Sequence, residues 1–127
     1  MLTDAEYQTY VTGFPEGIVY AVENPDTGDK FDFAAQIDGR LLFTVASLYD
    51  AVQADGSLLE ATARLYLGLA AVQLKAAGAA PIQWVCQRAG DADALRALLR
   101  QFEPELRDVS PMGGIEVVVA PVEESQD

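Results

Sequence analysis

Lys30-Phe31-Asp32-Phe33-Ala34-Ala35-Gln36-Ile37-Asp38-Gly39-Arg40-Leu41-Leu42-Phe43-Thr44-Val45 is the most informative run in the chain. Phe31, Phe33, Ala35 and Ile37 alternate with Lys30, Asp32, Ala34, Gln36 and Asp38. Strict alternation predicts one half-buried antiparallel strand over Lys30–Asp38. Asp38-Gly39 then supplies the two residues that a type I′ hairpin turn needs, both tolerant of positive φ. A third strand follows over Leu41–Ser47. Upstream, Ile18, Tyr20 and Val22 share one face of a first strand over Glu16–Asn24, and Pro25-Asp26-Thr27-Gly28 turns it into the second. The run therefore predicts a three-strand meander.

Helices frame the meander. Thr3-Asp4-Ala5-Glu6 is a capping-box pattern, and Tyr7, Tyr10, Val11 and Phe14 follow at helical spacing before Pro15. A short helix is expected over residues 4–13. A helical turn is read over Ser47–Val52, and a long helix from about Ser57 to Ala77. Leu65 to Val72 is apolar nearly all round, which marks a buried helix, with Gly68 and Ala71 allowing close approach to a neighbour. Ile82–Gln87 reads as a strand with Ile82, Trp84 and Cys86 on one face. Asp91 reads as the cap of a helix over residues 92–103, striped by Leu95, Leu98, Leu99 and Phe102 and ended or kinked at Pro104. Met112-Gly113-Gly114 is a loop before a last strand, Ile115–Ala120.

The order is α-β-β-β-α-β-α-β. It predicts an α+β fold with a single mixed or mainly antiparallel sheet of about five strands and helices packed on it. The 127 residues are expected to form one domain, with a frayed tail over 122–127. The expected core comprises Ile18, Tyr20, Phe31, Phe33, Phe43, Leu65, Leu69, Val72, Trp84, Leu98, Leu99 and Val117.

Charge narrows the function. Eight Lys and Arg stand against 20 Asp and Glu, for a net charge of −12. Such a field repels phosphate, so neither nucleic acid nor an anionic membrane is expected as a partner. The charge is uneven: residues 1–60 carry 11 acids and two bases, residues 61–90 no acid and three bases, and residues 91–127 nine acids and three bases. Histidine is absent, which removes Ser-His and Cys-His nucleophilic pairs and His-based zinc sites. Cys86 is the one cysteine; a buried, inert thiol in a reducing compartment is the expectation. Residues 1–15 lack a basic n-region followed by an apolar stretch, so no signal peptide is read and a cytoplasmic location is expected. No cofactor and no metal is expected.

Two sets of residues are candidates for function. The first is an aromatic anchor for a partner protein: Tyr7, Tyr10 and Phe14 on the first helix. Packing of the same side chains on the sheet is the competing reading. The second is a carboxylate set, Glu23, Glu60 and Asp91. Glu23 ends the first strand, Glu60 opens the long helix, and Asp91 follows the fourth strand, whose closing position is Gln87 or Arg88. The competing reading pairs Glu60 with Arg64 at i,i+4 and leaves Asp91 as a cap. The oxygen-rich turn Glu23–Asp29 lacks EF-hand spacing, and turn chemistry accounts for its composition.

Over residues 16–121 the element order resembles the ribonuclease H-like fold. That resemblance implies a divalent-metal hydrolase with Glu23, Glu60 and Asp91 as metal ligands. Over residues 4–77, size, acidity and a helix followed by a meander resemble small acidic secretion chaperones. That resemblance implies a dimer that binds an extended segment of a partner. The leading expectation is a non-enzymatic protein-binding module or adaptor that uses an acidic surface. Its partner is another protein, best a basic one, with a homodimer left open. A metal hydrolase and an acidic mimic of nucleic acid are the alternatives.

Overall fold

The computed structural model describes residues 1–122. Of the expected tail over 122–127, residues 123–127 lie outside that range. The elements are α1 (Asp4–Thr12), β1 (Tyr20–Glu23), β2 (Lys30–Phe33), β3 (Ala35–Ile37), β4 (Arg40–Val45), a 3₁₀ turn (Tyr49–Ala51), α2 (Glu60–Ala77), β5 (Ile82–Cys86), α3 (Ala89–Gln101), α4 (Glu103–Val109) and β6 (Ile115–Val119). The α+β class holds. The single sheet does not: β1 and β2 form a two-stranded antiparallel sheet, and β3-β4-β5-β6 form a separate four-stranded one.

The division falls at Ala34, inside the run expected to be one strand. Phe33, Ala34 and Ala35 are all buried in succession, which a flat, half-buried strand does not allow. The chain bends there, and β2 leaves the sheet and lies over α2. Phe31 and Phe33 stay with the core. Their rings sit 4.8 Å apart, and Phe31 lies 6.1 Å from Phe43, which lies 5.5 Å from Trp84. Packed aromatic side chains therefore bridge hairpin and sheet. The turn into β4 is as the sequence predicts, with φ of +52° at Asp38 and +77° at Gly39.

The large sheet is mixed, the first of the two expected arrangements: β3 pairs antiparallel with β4, and the other pairings are parallel. β4, β5 and β6 run side by side, with Phe43, Trp84 and Val117 in register. Consecutive parallel neighbours joined by crossovers of one hand place their helices on one face. Accordingly α2 and α3 both pack on the face bearing Leu41, Val45, Ile82, Trp84, Cys86 and Val117. The opposite face carries Leu42, Ala46 and Val85 and is covered by α1 through Tyr7. α1 has the expected capping box: the Thr3 backbone N–H donates to Glu6 Oε1 (2.9 Å), and the Glu6 N–H donates to Thr3 Oγ1 (3.4 Å). Those bonds hold the Glu6 carboxyl below its ordinary range, the backbone bond most of all.

Several core expectations are corrected. Phe33, Trp84, Leu98 and Val117 are buried, and Phe31, Phe43, Leu69 and Leu99 are partly so. Ile18, Tyr20, Leu65 and Val72 are exposed. α2 meets the core through Ala70, Gln73, Leu74 and Ala76 instead. Tyr66 of the same helix packs edge-on to the Trp84 indole at 5.9 Å. Gly68 faces open space rather than a neighbour. Gly113 does make the close approach that only glycine allows: a Cβ there would lie 2.7 Å from the Gly78 carbonyl oxygen. Pro104 ends α3 by starting a further short helix, α4, in its first turn.

Candidate functional site

In sheets with parallel strands, ligands commonly sit beyond the C-terminal strand ends. Here that end is closed by the chain itself. Gln87, just past β5, donates from Nε2 to the Ala46 carbonyl (2.9 Å) and to the Leu2 carbonyl (3.2 Å). Its Oε1 accepts from the Leu2 backbone N–H at 2.9 Å. Tyr7 completes the closure, donating its hydroxyl to the Ala120 carbonyl at 2.7 Å.

Tyr7 is therefore a fully buried core residue and not an exposed anchor. Burial pushes its phenol above the ordinary tyrosine value. Tyr10 and Phe14 are exposed, and they do not stand alone. The loop after α1 folds back, with Gln8 Nε2 donating to the Ile18 carbonyl at 3.2 Å. Tyr10, Phe14, Ile18, Val19 and Tyr20 are each between 43% and 51% exposed. Five large apolar side chains within eleven consecutive residues thus face outward. Exposed Glu16, Glu23 and Asp32 lie in and beside this stretch. β1 is also an edge strand, paired on one side only, with β2.

Sequence reasoning missed Ile18, Val19 and Tyr20. The alternation of Ile18, Tyr20 and Val22 reads as a strand face, but pairing begins only at Tyr20. At its start Ile18, Val19 and Tyr20 are exposed. The signal available in the sequence was the density of apolar residues on both sides of Pro15, which exceeds what one short helix and one short strand can bury.

The carboxylate set does not assemble. Among the described residues no group of three or more His, Cys, Asp or Glu is placed to hold a metal ion. Glu23 is exposed and 3.8 Å from Lys30 Nζ. Glu60 pairs with Arg64 on the surface of α2. Asp91 does not cap α3: Arg88 precedes the helix as its cap residue, and Asp91 lies buried in the first turn. Its Oδ2 accepts the Leu48 backbone N–H at 3.0 Å, tying the loop after β4 to α3. In the oxygen-rich turn, Asn24 Oδ1 accepts from the Asp26 N–H (2.9 Å) and Thr27 Oγ1 from the Asp29 N–H (3.3 Å). Those oxygens serve the turn, as its composition implied. Cys86 is buried, and burial, with the Asp91 carboxylate second, pushes its thiol up to about 12. No helix among the described residues is long and apolar enough to cross a membrane.

The chain matches no protein-family model, and neither a curated protein nor a solved structure shows significant similarity to it.

Proposed function

We propose that this chain is a non-enzymatic binding module that engages another protein through the face formed by the second half of α1, the loop after it and β1. The supporting observation is the outward-facing run Tyr10, Phe14, Ile18, Val19 and Tyr20, set among acidic side chains. Large exposed apolar patches rimmed by charge mark interaction surfaces. Aromatic side chains such as Tyr10 and Phe14 supply much contact area per residue. The net charge of −12 selects the partner's chemistry: a segment that combines basic with apolar residues. The open edge of β1 suits an extended segment, which would add a strand to the hairpin.

The test compares wild type with a Phe14→Ser/Ile18→Ser variant as bait in source-cell lysate, at low and at high salt. Both substituted positions are exposed, so the variant keeps the core. The reading expects a stoichiometric partner with a basic, apolar segment. It is retained by wild type at low salt, released at high salt because exposed charges are screened, and not retained by the variant. Identical recovery by both baits at both salts overturns it. Sedimentation of the purified chain covers the remaining occupant: a dimer that the same variant dissociates would make a second copy of this chain the partner.

A further inference from the structure

A second surface has the opposite character. Between α3, α4 and β6 lies a groove of about 390 Å³. Arg96, Arg100 and Arg107 line it together with apolar residues that include Leu74, Leu106 and Ile115. The whole chain has eight Lys and Arg, so three of them meet at one groove of a molecule with net charge −12. Glu103 is the one acidic residue in the lining.

Two of these arginines, Arg96 and Arg107, are held by other groups of the chain. Arg96 Nε donates to the Val117 carbonyl and its Nη1 to Asp93 Oδ1, both at 3.0 Å. Arg107 pairs with Glu103 one turn before it. Arg100 makes no ion pair among the described residues. It stands four residues after Arg96 on α3, on the same side of the helix, and it is the one lining arginine with no carboxylate on it among the described residues. The groove's volume falls within the usual range for small-ligand sites, about 300–1,000 Å³. Gly114 is part of the lining, and a Cβ there would meet no atom within 4 Å beyond its chain neighbours.

The geometry points to a binding site for a small amphiphilic anion, its apolar body on the leucine and isoleucine lining and its carboxylate or phosphate head on Arg100, flanked by Arg96 and Arg107. A guanidinium offers paired N–H donors that match either head group. The apolar lining excludes a plain inorganic ion as the best ligand. This site is separate from the acidic face above and does not depend on it.

The test is titration of the ¹⁵N-labelled full chain with octanoate and with octyl phosphate, using octyltrimethylammonium as the control of opposite charge. The Gly113 and Gly114 amide signals report on the groove directly. Saturable shifts of both signals with an anion, and none with the cation, are expected. Arg100→Glu, at an exposed position, should weaken binding by about tenfold or more through reversal of the head-group contact. Gly114→Leu should abolish binding by filling the groove. The tighter of the two anions identifies the head group. Absence of a saturable shift with both anions overturns the proposal, as does unchanged affinity in Arg100→Glu or an equal response to the cation.

Discussion

The indole N–H of Trp84 donates to the side-chain carbonyl of Gln73 at 2.7 Å, and both residues are fully buried between β5 and α2. This bond orients the Gln73 amide, and it leaves Gln73 Nε2 without a partner among the described residues. The largest buried side chain thus has its polar atom satisfied at the expense of one orphaned donor. Gln73→Leu removes both the bond and the orphan. An unsatisfied buried donor costs about 1–3 kcal/mol, so exchanging one orphan for another should cost only about 1 kcal/mol. Urea unfolding followed by Trp84 fluorescence measures it. A loss well above that range would mean that Gln73 Nε2 is satisfied in solution.

Asp91 gives a sharper prediction. Its carboxylate is the acceptor for the buried Leu48 N–H. Asp91→Ala leaves that donor unpaired and should cost about 1–3 kcal/mol. Asp91→Asn retains a side-chain carbonyl and should cost less. Equal losses in the two variants, in chemical denaturation, would show that charge and not hydrogen bonding is what Asp91 contributes.

Gly113 and its neighbour Gly114 should respond differently to the same change. A Cβ at Gly113 meets the Gly78 carbonyl oxygen at 2.7 Å, Ser110 Oγ at 2.8 Å and Leu74 Cδ2 at 3.2 Å. Overpacking of this kind costs about 1–3 kcal/mol, and Ser110→Ala should not rescue it because the backbone oxygen remains. Gly114→Ala meets nothing within 4 Å and should leave the melting temperature unchanged or slightly raised. A Gly113→Ala protein as stable as wild type would contradict the close approach of the loop to the end of α2.

Stability should fall in alkali. Burial pushes the Cys86 thiol and the Tyr66 phenol each up to about 12, from ordinary values of 9.0 and 10.0, and raises the Tyr7 phenol as well. Between the ordinary and the raised values the folded chain holds protons that the unfolded chain has lost. The contribution is therefore complete below about pH 9 and declines as pH rises toward 12. Cys86 ionises first in the unfolded chain, so Cys86→Ala should delay the onset of the decline. Circular dichroism during urea unfolding across this range measures both effects. A flat profile would mean that these groups ionise in the folded protein at their ordinary values.

Short-range signals carried most of the element order. The Asp38-Gly39 turn, the Thr3–Glu6 capping box, α2 and β5 follow from neighbouring residues alone, because turns, caps and helical stripes are local interactions. The charge imbalance and the absence of histidine are likewise properties of the sequence itself. Tertiary packing decided which apolar residues face inward. α2 is apolar nearly all round, so periodicity could not choose between Leu65 and Val72 on one side and Ala70 and Leu74 on the other. The side that faces inward carries Ala70, Gln73, Leu74 and Ala76, and Gln73 on it accepts from the Trp84 indole N–H. Packing also split the run around Ala34: Phe31 and Phe33 on β2 join the aromatic cluster with Phe43 and Trp84, while Ala35 opens the strand that pairs with β4. The parallel direction of β5 and β6 came from helices long enough to cross the sheet and return. The exposed face from Tyr10 to Tyr20 and the arginine groove were set in the same way: each depends on residues that no other described residue covers, and coverage is a property of the whole fold.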